Sequence, residues 1–143
     1  MKQKPKVLVI CTGNSMRSQM AEGILRHHLG DRIDVYSAGT HPSFVHSRTL
    51  EALTNAGIDT TGLRSKSINE FIGEEIDLVI TVCDSARSNC PTLPGAIKVV
   101  HKPYWDPYHM APSDDPVAIF AELRDKMTEE LVELVRQEFG FVD

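Results

Sequence analysis

A chain of 143 residues, 41% hydrophobic and 24% charged, has the composition of a soluble globular protein and room for one core, so residues 1–143 are expected to form a single domain. With 15 Lys and Arg against 20 Asp and Glu, the formal charge of -5 offers no global attraction for nucleic acid or anionic membranes, and any anion has to be held locally. No apolar run approaches the roughly 20 residues that span a bilayer, the start "MKQKPKVLVICTGN" lacks a signal-peptide core, and an odd count of three cysteines suits a reducing compartment, so a cytoplasmic monomer is expected.

The first element is "KVLVI" at 6–10, an apolar run with little polar alternation, read as a strand buried on both faces. "SQMAEGILRHHLG" then reads as a helix stopped by Gly30, "IDVYSAG" at 33–39 as a strand, and "VHSRTLEALTNAGID" as a helix ending near Gly57. A short helix is expected around "SINEFI", followed by strands "DLVITV" at 77–82 and "AIKVVH" at 96–101. The Pro-rich stretch 102–116, "KPYWDPYHMAPSDDP", has no periodicity and reads as a long loop. In the last helix, "DDPVAIFAELRDKMTEELVELVRQEFG", the residues Val117, Phe120, Leu123, Met127, Leu131, Leu134 and Val135 recur at three- and four-residue steps and predict one apolar stripe. Strands alternating with helices imply right-handed βαβ units, hence an α/β fold with a mainly parallel sheet covered on both faces. Ligands in such folds bind beyond the carboxyl ends of the strands.

"CTGNSMRS" at 11–18 begins where the first strand ends. Thr12, Gly13, Asn14, Ser15 and Met16 can turn backbone N–H groups inward as a nest for an oxyanion, and Gly13 and Asn14 tolerate the positive φ that such a turn requires. Cys11 beneath that nest, at a helix N-terminus and near Arg17, is placed to favour the thiolate. Arg17 offers a planar fork for two oxygens of a tetrahedral anion, and Ser18 can donate a hydrogen bond to the sulfur. The loop is not a Walker A motif, because the lysine and second glycine are absent.

"ICTGNSMRSQMAEG" resembles the opening of the low-molecular-weight tyrosine phosphatase superfamily and is similar above all to its thioredoxin-coupled arsenate reductase branch. The resemblance extends over nearly the whole chain through "VYSAGT", "AGIDTTGLRSKSI", "DLVITVCDSARSNCP" and "WDP". It implies a three-layer α-β-α sandwich around a four-stranded sheet, and a small oxyanion, arsenate, phosphate or sulfate, in the nest.

Cys83 follows the third strand, on the same rim as Cys11, and Cys90 comes seven residues later. The intervening "DSARSN" reads as a short helix or a mobile loop. A helix would separate the two Cα atoms by about 10.5 Å, beyond the roughly 7 Å that a disulfide tolerates, so bonding the pair would require the segment to change shape. Zinc binding with His101 is a competing reading, although the spacing is not the CxxC pair of structural zinc; inert buried thiols are another. The resemblance implies that Cys83 and Cys90 carry oxidation outward from Cys11 to thioredoxin, a pair that phosphatases of the superfamily generally lack.

Asp106, in "YWDPYHM", follows the fourth strand, where a carboxyl partly shielded by Tyr104 and Trp105 suits protonation of a departing oxygen; a turn Asp before Pro is the alternative. The resemblance assigns the general acid to this Asp-Pro. Trp105 departs from the acidic residue usual there in arsenate reductases, and "DPY" is similar to the phosphatase branch, so some phosphatase activity is expected. Met16 stands where cysteine is common. In some relatives Asn14, Glu22, Ser37 and an aspartate hold a monovalent cation; here Lys66 takes the place of the aspartate, and its ammonium is expected to remove any need for potassium. His27 and His28 are adjacent on a helix and point about 100° apart, which suits surface positions. No metal or organic cofactor is expected. The resulting expectation is an arsenical-detoxifying oxidoreductase that uses Cys11, Arg17, Ser18, Cys83, Cys90 and Asp106, with a phosphocysteine-forming phosphomonoesterase as the alternative.

Overall fold

The computed structural model describes residues 4–82, 93, 95–105, 107 and 115–141. Four strands, β1 (Lys6–Cys11), β2 (Asp34–Gly39), β3 (Leu78–Thr81) and β4 (Val99–His101), form one sheet in the order β2-β1-β3-β4. All three pairings are parallel, with Val7 opposite Val35 and Leu78, and Val79 opposite Val99. The helices are α1 (Arg17–Leu29), α2 (Ser47–Asn55) and α3 (Pro116–Phe139), with a short 3-10 turn at Ile68–Phe71. Among the described residues no helix is long and apolar enough to cross a membrane.

The period of two along β1 divides its side chains between two cores. Val7, Val9 and Cys11 join Leu78 and Ile80 against α1, α2 and α3, whereas Leu8 and Ile10 join Ala38 and Val79 against Phe71 of the 3-10 turn, Ile76 and Leu93. Both faces are thus covered, one by the three α-helices and the other by the 3-10 turn with Ile76 and Leu93, which is why the central strands carry no polar alternation. The expected strand at 96–101 is regular only from Val99. Ala96 makes an isolated bridge to Ile76, and Ile97 between them is exposed, as suits an edge.

Helix α3 starts at Asp115, whose carboxylate accepts from Val117 N at 3.0 Å, has Pro116 in its first turn, and ends at Gly140 in the left-handed region. Its apolar stripe differs from expectation at both ends. Val117 is exposed because it precedes the layer that α3 covers, and Val132 is buried while Leu134 is only partly so. Helix α1 is buried from Arg17 through Leu25, polar residues included, so its amphipathic pattern is blurred by the polar groups it brings into the interior. Two glycines allow close approach: a Cβ at Gly23 would lie 2.9 Å from Leu53 Cδ1, and one at Gly39 only 2.5 Å from the Thr12 carbonyl oxygen.

Candidate active site

Cys11 ends β1, and its Sγ lies 2.8 Å from Ser18 Oγ on the first turn of α1. Between them the chain turns tightly, and the segment after β2 lashes this turn from outside. His41 N donates to Thr12 O at 2.9 Å, Ser43 N to Gly13 O at 3.3 Å and His46 N to Ser15 O at 3.0 Å, while Gln19 Nε2 donates to Asn14 O at 3.1 Å. Each carbonyl from 12 to 15 is therefore engaged away from the turn's interior. In a trans peptide the carbonyl and the following N–H are antiparallel, so the N–H groups of Gly13, Asn14 and Met16 point away from the lash and that of Ser15 away from Gln19. No side chain caps the N-terminus of α1, and an uncapped helix start adds further donors and a positive dipole end. Of the two residues that tolerate positive φ, Asn14 adopts it, at 48°, and Gly13 does not.

The Asn14 side chain is fully buried behind the turn, and its partners fix its orientation. Lys66 N, which can only donate, reaches Asn14 Oδ1 at 2.8 Å, and Gln19 Nε2 reaches it at 2.9 Å. Asn14 Nδ2 therefore donates to Ser18 Oγ at 2.7 Å and to Ser37 Oγ at 3.0 Å. Ser37 sends its proton to Glu22 Oε1 at 2.6 Å. Ser18, accepting from Asn14, keeps one proton and one lone pair for Cys11 Sγ, so it accepts from a thiol and donates to a thiolate.

Glu22, Ser37 and Lys66 are all buried here. Lys66 Nζ lies 3.3 Å from Glu22 Oε1 and 2.9 Å from Arg64 O, and Arg26 pairs with the other carboxylate oxygen. Burial pushes the Lys66 ammonium below its ordinary value, against the opposing pull of Glu22. With an ammonium already at Glu22 and both lone-pair directions of Asn14 Oδ1 taken, these residues do not fit a monovalent cation, and no step runs through one.

Arg17, also buried, donates from Nη1 to the backbone carbonyl of Tyr104 at 3.1 Å. Cys11, Thr12, Gly13, Ser15, Met16 and Arg17 line a cavity of about 250 Å³, closed on one side by Ser43 and Phe44. Asn14 is in the turn but not in the lining. Ser43 and Phe44 escaped the sequence reading; the one available signal was an exposed aromatic, Phe44, in the loop after the carboxyl end of β2. Phe44 stacks on His46, and His46 on Phe120, with centroids 6.3 and 5.6 Å apart. His27 and His28 are exposed on α1, and His101 Nδ1 lies 2.6 Å from Thr81 Oγ1.

Cys83, Cys90 and Asp106 lie outside the described residues. The described residue before Cys83, Val82, donates from its N to Ile10 O at 3.0 Å, and so sits beside the residue that precedes Cys11. Among the described residues Cys11 is a free cysteine, buried at the end of its strand. A thiol with a hydroxyl donor, inward-facing amides and a guanidinium around one cavity is equipped to attack a bound tetrahedral anion.

The family model described as low molecular weight phosphotyrosine protein phosphatase matches residues 6–139. The chain is 40% identical over 124 residues to arsenate reductase 2 of Staphylococcus epidermidis, covering 87% of this chain and 91% of that relative. Among solved structures it is similar to an arsenate reductase in the reduced state, with a TM-score of 0.75 and 26% identity over 93% of this chain and 98% of the other. It is also similar to a thioredoxin-dependent arsenate reductase of Corynebacterium glutamicum, with a TM-score of 0.66 and 27% identity over 94% of this chain and 64% of that one.

Proposed function

Because the chain belongs to the low molecular weight phosphotyrosine protein phosphatase family, we propose that it works on tetrahedral oxyanions through Cys11, and that its reaction is the reduction of arsenate to arsenite with thioredoxin as reductant. The observation that carries the reading is the Cys11 Sγ to Ser18 Oγ contact of 2.8 Å beneath a turn whose carbonyls all face outward. The preference for arsenate draws on the 40% identity to an arsenate reductase and on the similarity to a thioredoxin-dependent one. The protein acts as a single-domain monomer in the cytoplasm and serves arsenic detoxification.

In the proposed cycle arsenate is held by the N–H groups of residues 13–16 and by Arg17. The Cys11 thiolate attacks arsenic, and one oxygen leaves as water with a proton from Asp106. Cys83 then attacks the Cys11 sulfur. The electron pair of the sulfur–arsenic bond departs with arsenic, which leaves as arsenite, and two thiols have become a Cys11–Cys83 disulfide. Attack by Cys90 on Cys83 frees Cys11 and passes the oxidation to a Cys83–Cys90 disulfide for thioredoxin to reduce. The bond from Val82 N to Ile10 O supports this order, since the chain enters Cys83 from beside the strand end that carries Cys11.

The test is arsenate-dependent NADPH consumption with thioredoxin and thioredoxin reductase. Steady turnover is expected in the native chain and is expected to vanish in Cys11→Ser, Cys83→Ser and Cys90→Ser. Native rates in both Cys83→Ser and Cys90→Ser would eliminate the relay. The family model supports a second reading, phosphomonoester hydrolysis through a phosphocysteine; it requires that hydrolysis of an aryl phosphate survive Cys83→Ser at full rate.

A further inference from the structure

Arg17 is useful to a tetrahedral anion only when its fork is aimed, because two parallel N–H donors have to meet two oxygens. Its Nη1 donates to the Tyr104 carbonyl, a neutral acceptor that helps to orient the guanidinium. Residue 104 is itself held. Its N donates to Val82 O at 3.3 Å, its ring is 2% exposed, and its phenol donates to Glu130 Oε1 on α3 at 3.0 Å. Lys102 Nζ pairs with the same carboxylate at 3.2 Å and lies 5.8 Å from the centre of the Tyr104 ring.

We propose that Tyr104 and Glu130 are positioning residues for Arg17: the carboxylate on α3 holds the phenol, and so holds the backbone carbonyl that aims the guanidinium at the anion. Burial, reinforced by Glu130, drives the Tyr104 phenol well above its ordinary range, so the anchor keeps its proton throughout the working pH. Among the described residues Glu130 is bonded to Tyr104 and Lys102 and does not line the cavity. The inference rests on the oxyanion reading of the Cys11 cavity.

Protection of Cys11 from iodoacetamide by inorganic phosphate, followed at the Cys11 peptide by mass spectrometry, measures anion affinity without requiring turnover. Tyr104→Phe and Glu130→Leu are each expected to weaken protection about fivefold, the size of one lost hydrogen bond. Glu130→Gln, which keeps an acceptor for the phenol, is expected to stay within about twofold of the native chain. The Tyr104→Phe, Glu130→Leu double variant is expected to be no weaker than either single one, since both break one link. In an Arg17→Lys background, Tyr104→Phe is expected to change protection by less than about twofold. Circular-dichroism melts identify any variant that fails to fold, and the Gln and Leu variants at the partly exposed position 130 carry the test should Tyr104→Phe do so. If Arg17→Lys weakens protection while Tyr104→Phe and Glu130→Leu match the native chain, the anchor is refuted and the anion site stands. Equal loss in Glu130→Gln and Glu130→Leu also refutes it, because charge rather than the phenol bond would then matter. Absence of protection in the native chain refutes both readings.

Discussion

Ser18 and Lys66 show how far single side chains in this molecule act through fixed partners. Ser18 accepts from Asn14 and keeps a proton that it can donate to a Cys11 thiolate. Ser18→Ala is therefore expected to slow alkylation of Cys11 at neutral pH about fivefold, one hydrogen bond's worth of thiolate stabilisation, while a urea titration moves little. Lys66 stands against Glu22 in the interior. Lys66→Met leaves that carboxylate with Arg26 as its charged partner beside the Ser37 hydroxyl and is expected to cost about 3 kcal/mol in urea unfolding, with Glu22→Gln in the same chain restoring most of it. Turnover is expected to be equal in potassium and sodium chloride of matched ionic strength, and a potassium-specific rise would refute the role given to the Lys66 ammonium. Cys11, Arg17, Ser18 and the Asn14 turn were legible in sequence because their chemistry lies in residue type and in their position after an apolar run. Gln19 and Ser43 were not, since a buried glutamine and a loop serine become meaningful only through contacts across the fold.

At the scale of elements, α2 begins on an unusual cap: His46 Nδ1 accepts from Arg48 N at 3.1 Å. A protonated Nδ1 cannot accept, and burial, followed by the Arg48 charge, holds the imidazole below its ordinary value. The folded chain therefore binds fewer protons than the unfolded one through this window. Stability is full above the unfolded histidine pKa and is lost as pH falls through the lowered folded value. Burial, with His27 and Arg136, lowers His28 as well and acts with the same sign. Thermal melts are expected to fall between pH 7.5 and pH 5, and less steeply in His46→Asn, whose carbonyl caps at either pH. At the end of β2, Gly39→Ala would drive a methyl into the Thr12 carbonyl. A cost of about 1–3 kcal/mol from overpacking and loss of phosphate protection at Cys11 are expected together. Element types were readable from periodicity, as in α3, but the failure at Val117 shows the limit. Where a helix outruns the layer beneath it, an apolar residue in phase with the stripe still faces water.

For the molecule as a whole, β1 and β3 are central and buried on both faces, while β4 is a three-residue edge with Val99 exposed. Hydrogen exchange is expected to be slowest at Val7–Ile10 and Leu78–Ile80 and fastest within the sheet at Val99–His101; equal protection of β4 would contradict this architecture. The alternation of strands and helices gave the parallel sheet, because βαβ connections leave few other arrangements. It gave no hint of the lash from residues 41–46, since backbone bonds between distant segments leave no trace in composition.

That lash has a consequence for how the chain can vary over evolutionary time. A ligand received by main-chain amides is recognised by groups that every amino acid except proline carries. Side-chain changes can therefore accumulate around the sulfur without erasing charge recognition. What inheritance has to preserve is the backbone path of a remote segment, which adds the Ser43 and Phe44 side chains to the cavity wall.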